Sequence, residues 1–220
     1  MNAELSQRGL AEGGELSRPD ETLDRACQLL LARGTALTVP ELAEQLGHHE
    51  ATVIQTIEQF EQVGRIHRAP DGRIVASAGV SVVPADYEVL VGAVRCWAWC
   101  AKTGLGVLGA LAAGGTLATR CQVSGEELVV TFTADQPAPS GYGVLWPSEQ
   151  FQNSCTSAAD QLCATFSLFV SAEAAGDWAR AHNLDAEVIT VCEATHRSAA
   201  RYRHSLGLPA TRDELLGYAR

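Results

Sequence analysis

The sequence predicts an α+β fold: an N-terminal, winged-helix-like three-helix module packed on a mixed α/β domain built around an antiparallel sheet. Three observations predict it. Apolar residues recur at helical spacing through the first third of the chain, whereas short alternating segments broken by turn residues fill the middle. The 220 residues are 46% hydrophobic and 19% charged, enough to bury a core and unlike a disordered or fibrous chain. The expected division is a disordered leader over 1–20, a winged-helix-like domain over 21–80 and a second domain over 81–220.

The first helix is expected from Glu21, with Leu23, Ala26, Cys27, Leu30 and Leu31 on one face and Gly34 as its stop. Thr38-Val39-Pro40-Glu41 forms a capping box with a proline at the helix start, opening the short helix ELAEQLG. The third helix, EATVIQTIEQFEQVG, spaces Val53, Ile54, Ile57, Phe60 and Val63 helically and ends on Gly64. Arg65–Arg68 and Arg73–Ala76, joined by Pro70-Asp71-Gly72, read as a hairpin.

This arrangement invites a DNA-binding reading, which the chemistry opposes. Between His48 and Val63 stand three glutamates and no Lys or Arg, and the whole chain carries a formal charge of −10. Phosphate contacts need clustered cations, so the expected partners exclude nucleic acid. The beginning of the chain lacks a charged-then-apolar leader and no long apolar run occurs, so neither secretion nor a membrane partner is expected. The seven cysteines are then expected as free thiols in a cytoplasmic protein.

After the strand-like VVPADYEVLVGAV comes RCWAWCAKTGLGVLGALAAGG, which reads as a helix rich in small residues ending at Gly114-Gly115. On such a helix Cys96 and Cys100, four apart, would share a face. Cys100 lies near the helix start, where partial positive charge lowers a thiol pKa, and Lys102, the single lysine, is close by. Lys102 itself is expected to point about 100° away, given the 3.6-residue helical turn. TLATRCQVSGEELVVTFTAD reads as two strands joined at Ser124-Gly125, with Cys121 on the first and Leu128, Val130 and Phe132 on one face of the second. Beyond VLWPSEQ, a segment carrying Cys155 and Cys163 ends in a strand. The helix AEAAGDWARAHNL, the strand EVITVCEAT and a terminal helix from about His196 complete the chain. No Cys-x-x-Cys pair and no His-x3-His pair occurs, so a standard zinc site is not expected.

The segment WAWCAKTGLGVLGAL resembles the first active-site motif of the alkylmercury lyases, an Ala-Trp-Cys-Ala core at a helix start. QLCATFSLFVSAEAAGDWARAH resembles their later Cys-bearing strand and Asp-Trp-Ala helix, and ATRCQVSGEELVVTF the strand of a third, structural cysteine. The likeness extends over about residues 21–205, including the front module, which in that family packs on the catalytic domain without binding DNA. The resemblance implies protonolysis of a carbon–mercury bond: Cys100 and Cys163 would ligate the mercury as thiolates, the side chains that select soft metals. A proton delivered to carbon would release a hydrocarbon and leave Hg(II) on the two sulfurs. No cofactor would be required; exogenous thiols or a mercuric reductase would remove the Hg(II), and Cys121 would hold structure.

The chain departs from that family at Thr103, which stands where the family's proton-shuttling aspartate stands. A hydroxyl is no general acid near neutral pH without help, so Thr103 is a candidate catalytic residue with an open role. Three functions are therefore carried forward: an organomercurial lyase, a relative repurposed for a non-mercurial, biosynthetic substrate, and a non-catalytic soft-metal binding protein. Cys27, Cys96, Cys155 and Cys192 are expected as packing residues.

Overall fold

The computed structural model describes residues 20–209; the leader expected over 1–20 lies, but for Asp20, outside them. Helix α1 (Glu21–Arg33) begins on Asp20, whose carboxylate accepts from the amides of Thr22 and Leu23. It stops at Gly34 in the left-handed conformation. Helix α2 (Val39–Leu46) opens with the expected capping box. Thr38 Oγ1 accepts from Glu41 N, and Glu41 accepts from Thr38 N at 2.7 Å. With α3 (Glu50–Gln62) these helices enclose Leu23, Ala26, Leu30, Leu42, Val53 and Ile57. Ile54, assigned to the buried face by its spacing, is exposed instead, since only Val53 and Ile57 of α3 are fully covered.

Strands β1 (Ile66–Arg68) and β2 (Ile74–Ser77) pair antiparallel, and the sheet does not end there. It runs on through β3 (Val80–Ser81), β4 (Tyr87–Val91), β5 (Val94–Ala98), β6 (Gly115–Arg120), β7 (Glu127–Thr133) and β8 (Gln136–Pro137). The eight strands lie in the order β1-β2-β3-β5-β4-β6-β7-β8, every pairing antiparallel. In β7, Leu128, Val130 and Phe132 turn into the main core while their neighbours are exposed, as alternation predicts. A second antiparallel sheet places β9 (Gly143–Pro147) between β10 (Leu168–Phe169) and β11 (Ala186–Thr190). The α+β class with antiparallel sheet is thus the observed one.

Four local expectations are corrected. Cys96 lies on β5, and Cys100 is the residue that caps helix α4 (Ala101–Leu111), so the two thiols share no helix face. The β-branched and aromatic residues of VRCWA pair with β4, and sheet pairing outweighs the i, i+4 coincidence. Cys121 follows the end of β6 in the turn to β7. Cys163 closes a π-helical turn (Ala158–Cys163), after the short helix α5 (Glu149–Ser154), and is not on a strand. The terminal helix α7 (Val191–Ser205) starts five residues before His196, because Thr190 caps it by accepting from Glu193 N.

Helices α4 and α7 pack most closely of all. A Cβ on Gly106 would come within 2.4 Å of the Tyr202 ring, and one on Gly109 within 2.7 Å of Thr195. The small residues of AKTGLGVLGAL therefore allow α7 to lie directly on α4. Arg203 of α7 donates to the carbonyls of Gly109 and Ala110 at the end of α4, satisfying groups that a helix terminus otherwise leaves unpaired. Helix α6 (Ala172–Ala181) covers the second sheet. Among the described residues no helix is long and apolar enough to cross a membrane.

Candidate active site

The main-chain path after β5 places the first candidate thiol. Trp99 N donates to Gly79 O and Ala101 N to Phe166 O, pinning both sides of Cys100, which is extended (φ −155°, ψ 168°) where α4 begins. From the opposite wall the π-helical turn delivers Cys163, and that turn is tied to the front helices by Ala158 N donating to Val63 O. Helix α7 contributes Tyr202 and Arg201. These residues, with Lys102, Thr103 and Arg65, line a cavity of about 80 Å³. Cys100 and Cys163 thus meet across one small cavity although 63 positions separate them, and Phe166 and Leu162 cover them with an apolar wall.

The two thiols have opposite acidities. Burial raises the pKa of Cys100, but hydrogen bonds from the Cys163 thiol and from the side chain and amide of Thr103, with the charge of Lys102, outweigh it, and it falls to about 7. The same hydrogen bond, together with burial and the Cys100 charge, drives Cys163 well above the ordinary thiol value. The pair therefore shares one proton near neutrality: a thiolate at Cys100 and a thiol at Cys163 that donates to it. The position of Cys100 at the amino end of α4 acts in the same direction.

Thr103 is buried one turn into α4, with Oγ1 3.4 Å from Cys100 Sγ. Tyr202 Oη lies 2.8 Å from Thr103 Oγ1 and 3.0 Å from the Ala78 carbonyl oxygen. When Tyr202 donates to Thr103, the threonine proton is free to point at the sulfur. Gly79 holds this arrangement shut: its φ of +88° favours glycine, and a Cβ there would sit 2.4 Å from Thr103 Oγ1. Thr103 is thereby a donor to the thiolate. Among the described residues no carboxylate lines the cavity.

Lys102 does not point away. Its Nζ stands 4.6 Å from the centre of the Phe166 ring and 5.4 Å from that of Trp146, on the cavity wall beside both thiols. The expectation failed because it compared two positions inside one helix, whereas Cys100 precedes the helix and a lysine chain is long enough to curl back. Burial lowers the pKa of Lys102, with the thiols opposing.

The remaining cysteines separate by place. Cys96 and Cys121 belong to the main core, Cys27 packs beside Val107 and Tyr202, and Cys192 is exposed. Cys155, expected only to pack, packs with Trp146 and Cys163 against the cluster of Cys100, Leu162 and Phe166 at the edge of the site. Sequence reasoning missed Tyr202, Arg65 and Arg201. No local signal joins an α7 tyrosine to a threonine 99 positions earlier; the glycine spacing in α4, which admits a close helix, was the available hint. Among the described residues no three His, Cys, Asp or Glu side chains cluster as a metal site.

The sequence model of the alkylmercury lyases, MerB, matches residues 80–203. Among solved structures, the mercury-bound form of MerB2 resembles the chain with a TM-score of 0.75 and 25% sequence identity, over 92% of this chain and 97% of that one. No curated protein matches. The matched segment holds both cavity thiols, Thr103 and Tyr202 and covers more than half of the sequence: this chain belongs to the alkylmercury lyase family.

Proposed function

We propose that the protein is an organomercurial lyase in which Cys100 and Cys163 carry the reaction. The observation that supports this most is the pairing of two thiols of opposed acidity on one small cavity, in a chain similar to a protein solved with mercury bound. The Cys100 thiolate displaces the ligand X from R–Hg–X, forming the first sulfur–mercury bond. Loss of the Cys163 proton allows the second. Two thiolates raise electron density on mercury and on its carbon, and a proton then takes the electron pair of the C–Hg bond. The products are R–H and Hg(II) bound to both sulfurs. Thr103, with Tyr202 donating to its Oγ1, directs its own proton toward the Cys100 sulfur and holds it as the thiolate. The reaction needs no cofactor, and small thiols or a mercuric reductase receive the Hg(II).

The test incubates purified protein with phenylmercuric acetate and excess glutathione, following benzene and Hg(II). Catalytic benzene release that disappears in Cys100→Ser and Cys163→Ser is expected. Capture of one equivalent without benzene would overturn it. A second reading, a site reused for a non-mercurial substrate, rests on Thr103 standing where the family carries an aspartate and on the lack of a carboxylate among the described residues of the cavity wall. Turnover that is absent in the wild type and arises in Thr103→Asp favours that reading.

A further inference from the structure

We propose that the cavity takes a substrate bearing a carboxylate, on the organic group or on the thiolate bound to mercury, and that Arg201 and Arg65 hold that carboxylate; this rests on the lyase reading above and names its substrate class. The chain carries a net charge of −10, yet three of its 16 Lys and Arg side chains, Arg65, Lys102 and Arg201, line this one cavity. Among the described residues no carboxylate lines it with them. Thr103 stands where the family carries an aspartate, so the wall lacks the group that would repel an incoming anion.

Arg201 keeps a donor in reserve. Its Nη2 reaches Asp24 Oδ1 at 3.4 Å, whereas its Nη1 is buried without a hydrogen-bond partner among the described residues. A buried donor left unpaired is costly, and a carboxylate is the acceptor whose geometry best matches a guanidinium. Asp24 steadies one end of the group, and the Arg201 side chain as a whole is 22% exposed. A small turn therefore offers Nη1 to an acceptor in the cavity.

Arg65 adds a second charge. It is buried, with its guanidinium 5.2 Å from the centre of the Phe60 ring. Burial and the charge of Arg201 lower its pKa to about 10, against Asp20 and Asp24, which raise it. An anion between two guanidiniums that disfavour each other relieves both, and their planar forks suit a carboxylate. Cys100 also brings negative charge to this cavity, but as the thiolate it binds mercury. The guanidiniums are left for a different part of the substrate.

The experiment measures kcat/KM for 4-(chloromercuri)benzoate and for phenylmercuric acetate, both in excess 2-mercaptoethanol, and for phenylmercuric acetate in excess mercaptoacetate, following benzoate or benzene. A carboxylate-bearing combination is expected to exceed the neutral one by about tenfold to 100-fold, the worth of a charge-assisted hydrogen bond. Preference for the mercuribenzoate places the carboxylate on the organic group, and preference for mercaptoacetate places it on the departing thiol; either supports the site. In Arg201→Gln and in Arg65→Gln the ratio is expected to fall toward one, with Arg201→Lys recovering part of it; capture of one equivalent of phenylmercury shows that each variant is folded. Equal rates in the wild type, or a preference that survives in Arg201→Gln, overturn the proposal and spare the lyase reading. Wild type that cleaves none of the three overturns the lyase reading instead, and a binding measurement then decides this proposal. Benzoate, but not benzyl alcohol, is expected to protect Cys100 of the wild type from iodoacetamide, and absence of protection overturns the carboxylate site.

Discussion

Cys100 and Cys121 are both buried, and both have pKa values below the ordinary thiol value despite burial pushing them up. At Cys121 the opposing groups are mostly main-chain: the Ser124 amide and hydroxyl and the amides of Val170 and Val123 surround the sulfur in the β6–β7 turn. Its own amide donates to Glu126 O, and its carbonyl accepts from Gly125 N. At Cys100 they are a second thiol, a threonine hydroxyl and a lysine, arranged around a cavity. A depressed thiol pKa thus accompanies two different jobs. Main-chain amides and one serine hydroxyl closed around a sulfur hold a fold together, whereas side chains arranged around open space leave the sulfur something to do.

That contrast can be broken most sharply by removing sulfur. Cys100→Ser should reduce organomercurial turnover to background, whereas Cys121→Ser should keep the turnover of each folded molecule; loss of activity in a well-folded Cys121→Ser would erase the distinction. The next effect is on reactivity. Because the Cys100 pKa is lowered to about 7, its alkylation by iodoacetamide should rise about tenfold per pH unit below that value and level off above it. Thr103→Val removes a donor to the thiolate, so the midpoint should move upward, as rates measured across pH 5–10 would reveal.

Smaller effects concern stability. Gly106→Ala forces a methyl group against the Tyr202 ring and should cost about 1–3 kcal/mol in urea melts, also displacing Tyr202 from Thr103. Cys121→Ser should cost about 1 kcal/mol in the same melts, with the Cys100 alkylation profile unchanged.

Much of the fold was legible where local chemistry decides it. The Thr38–Glu41 box, the stop at Gly34 and the alternation of Leu128, Val130 and Phe132 depend on neighbours within a few residues, and each is where the residues placed it. Cys100 at a helix start was legible for the same reason, and Cys163 through the family resemblance. What escaped reading depends on partners far along the chain. Cys96 joins a strand because β4 is there to pair with it. Tyr202 reaches Thr103 only because α4 lacks side chains along one stripe. The π-helical turn that ends on Cys163 is set by Ser157, which accepts from Asp160 N, and by its tie to Val63, a combination with no periodic signature.

The 63 positions between the two cavity thiols have a topological consequence. In the proposed product, S–Hg–S is a covalent clasp between residues 100 and 163, closing a loop that contains β6, β7, β8, β9 and the π-helical turn. Like a disulfide of that span, it would lower the entropy of the unfolded chain, by roughly 4 kcal/mol in the chain-entropy picture. The loaded protein should therefore melt higher than the free one. Opening the clasp needs another sulfur to take the place of one of its ends, so product departs by ligand exchange and not by unfolding.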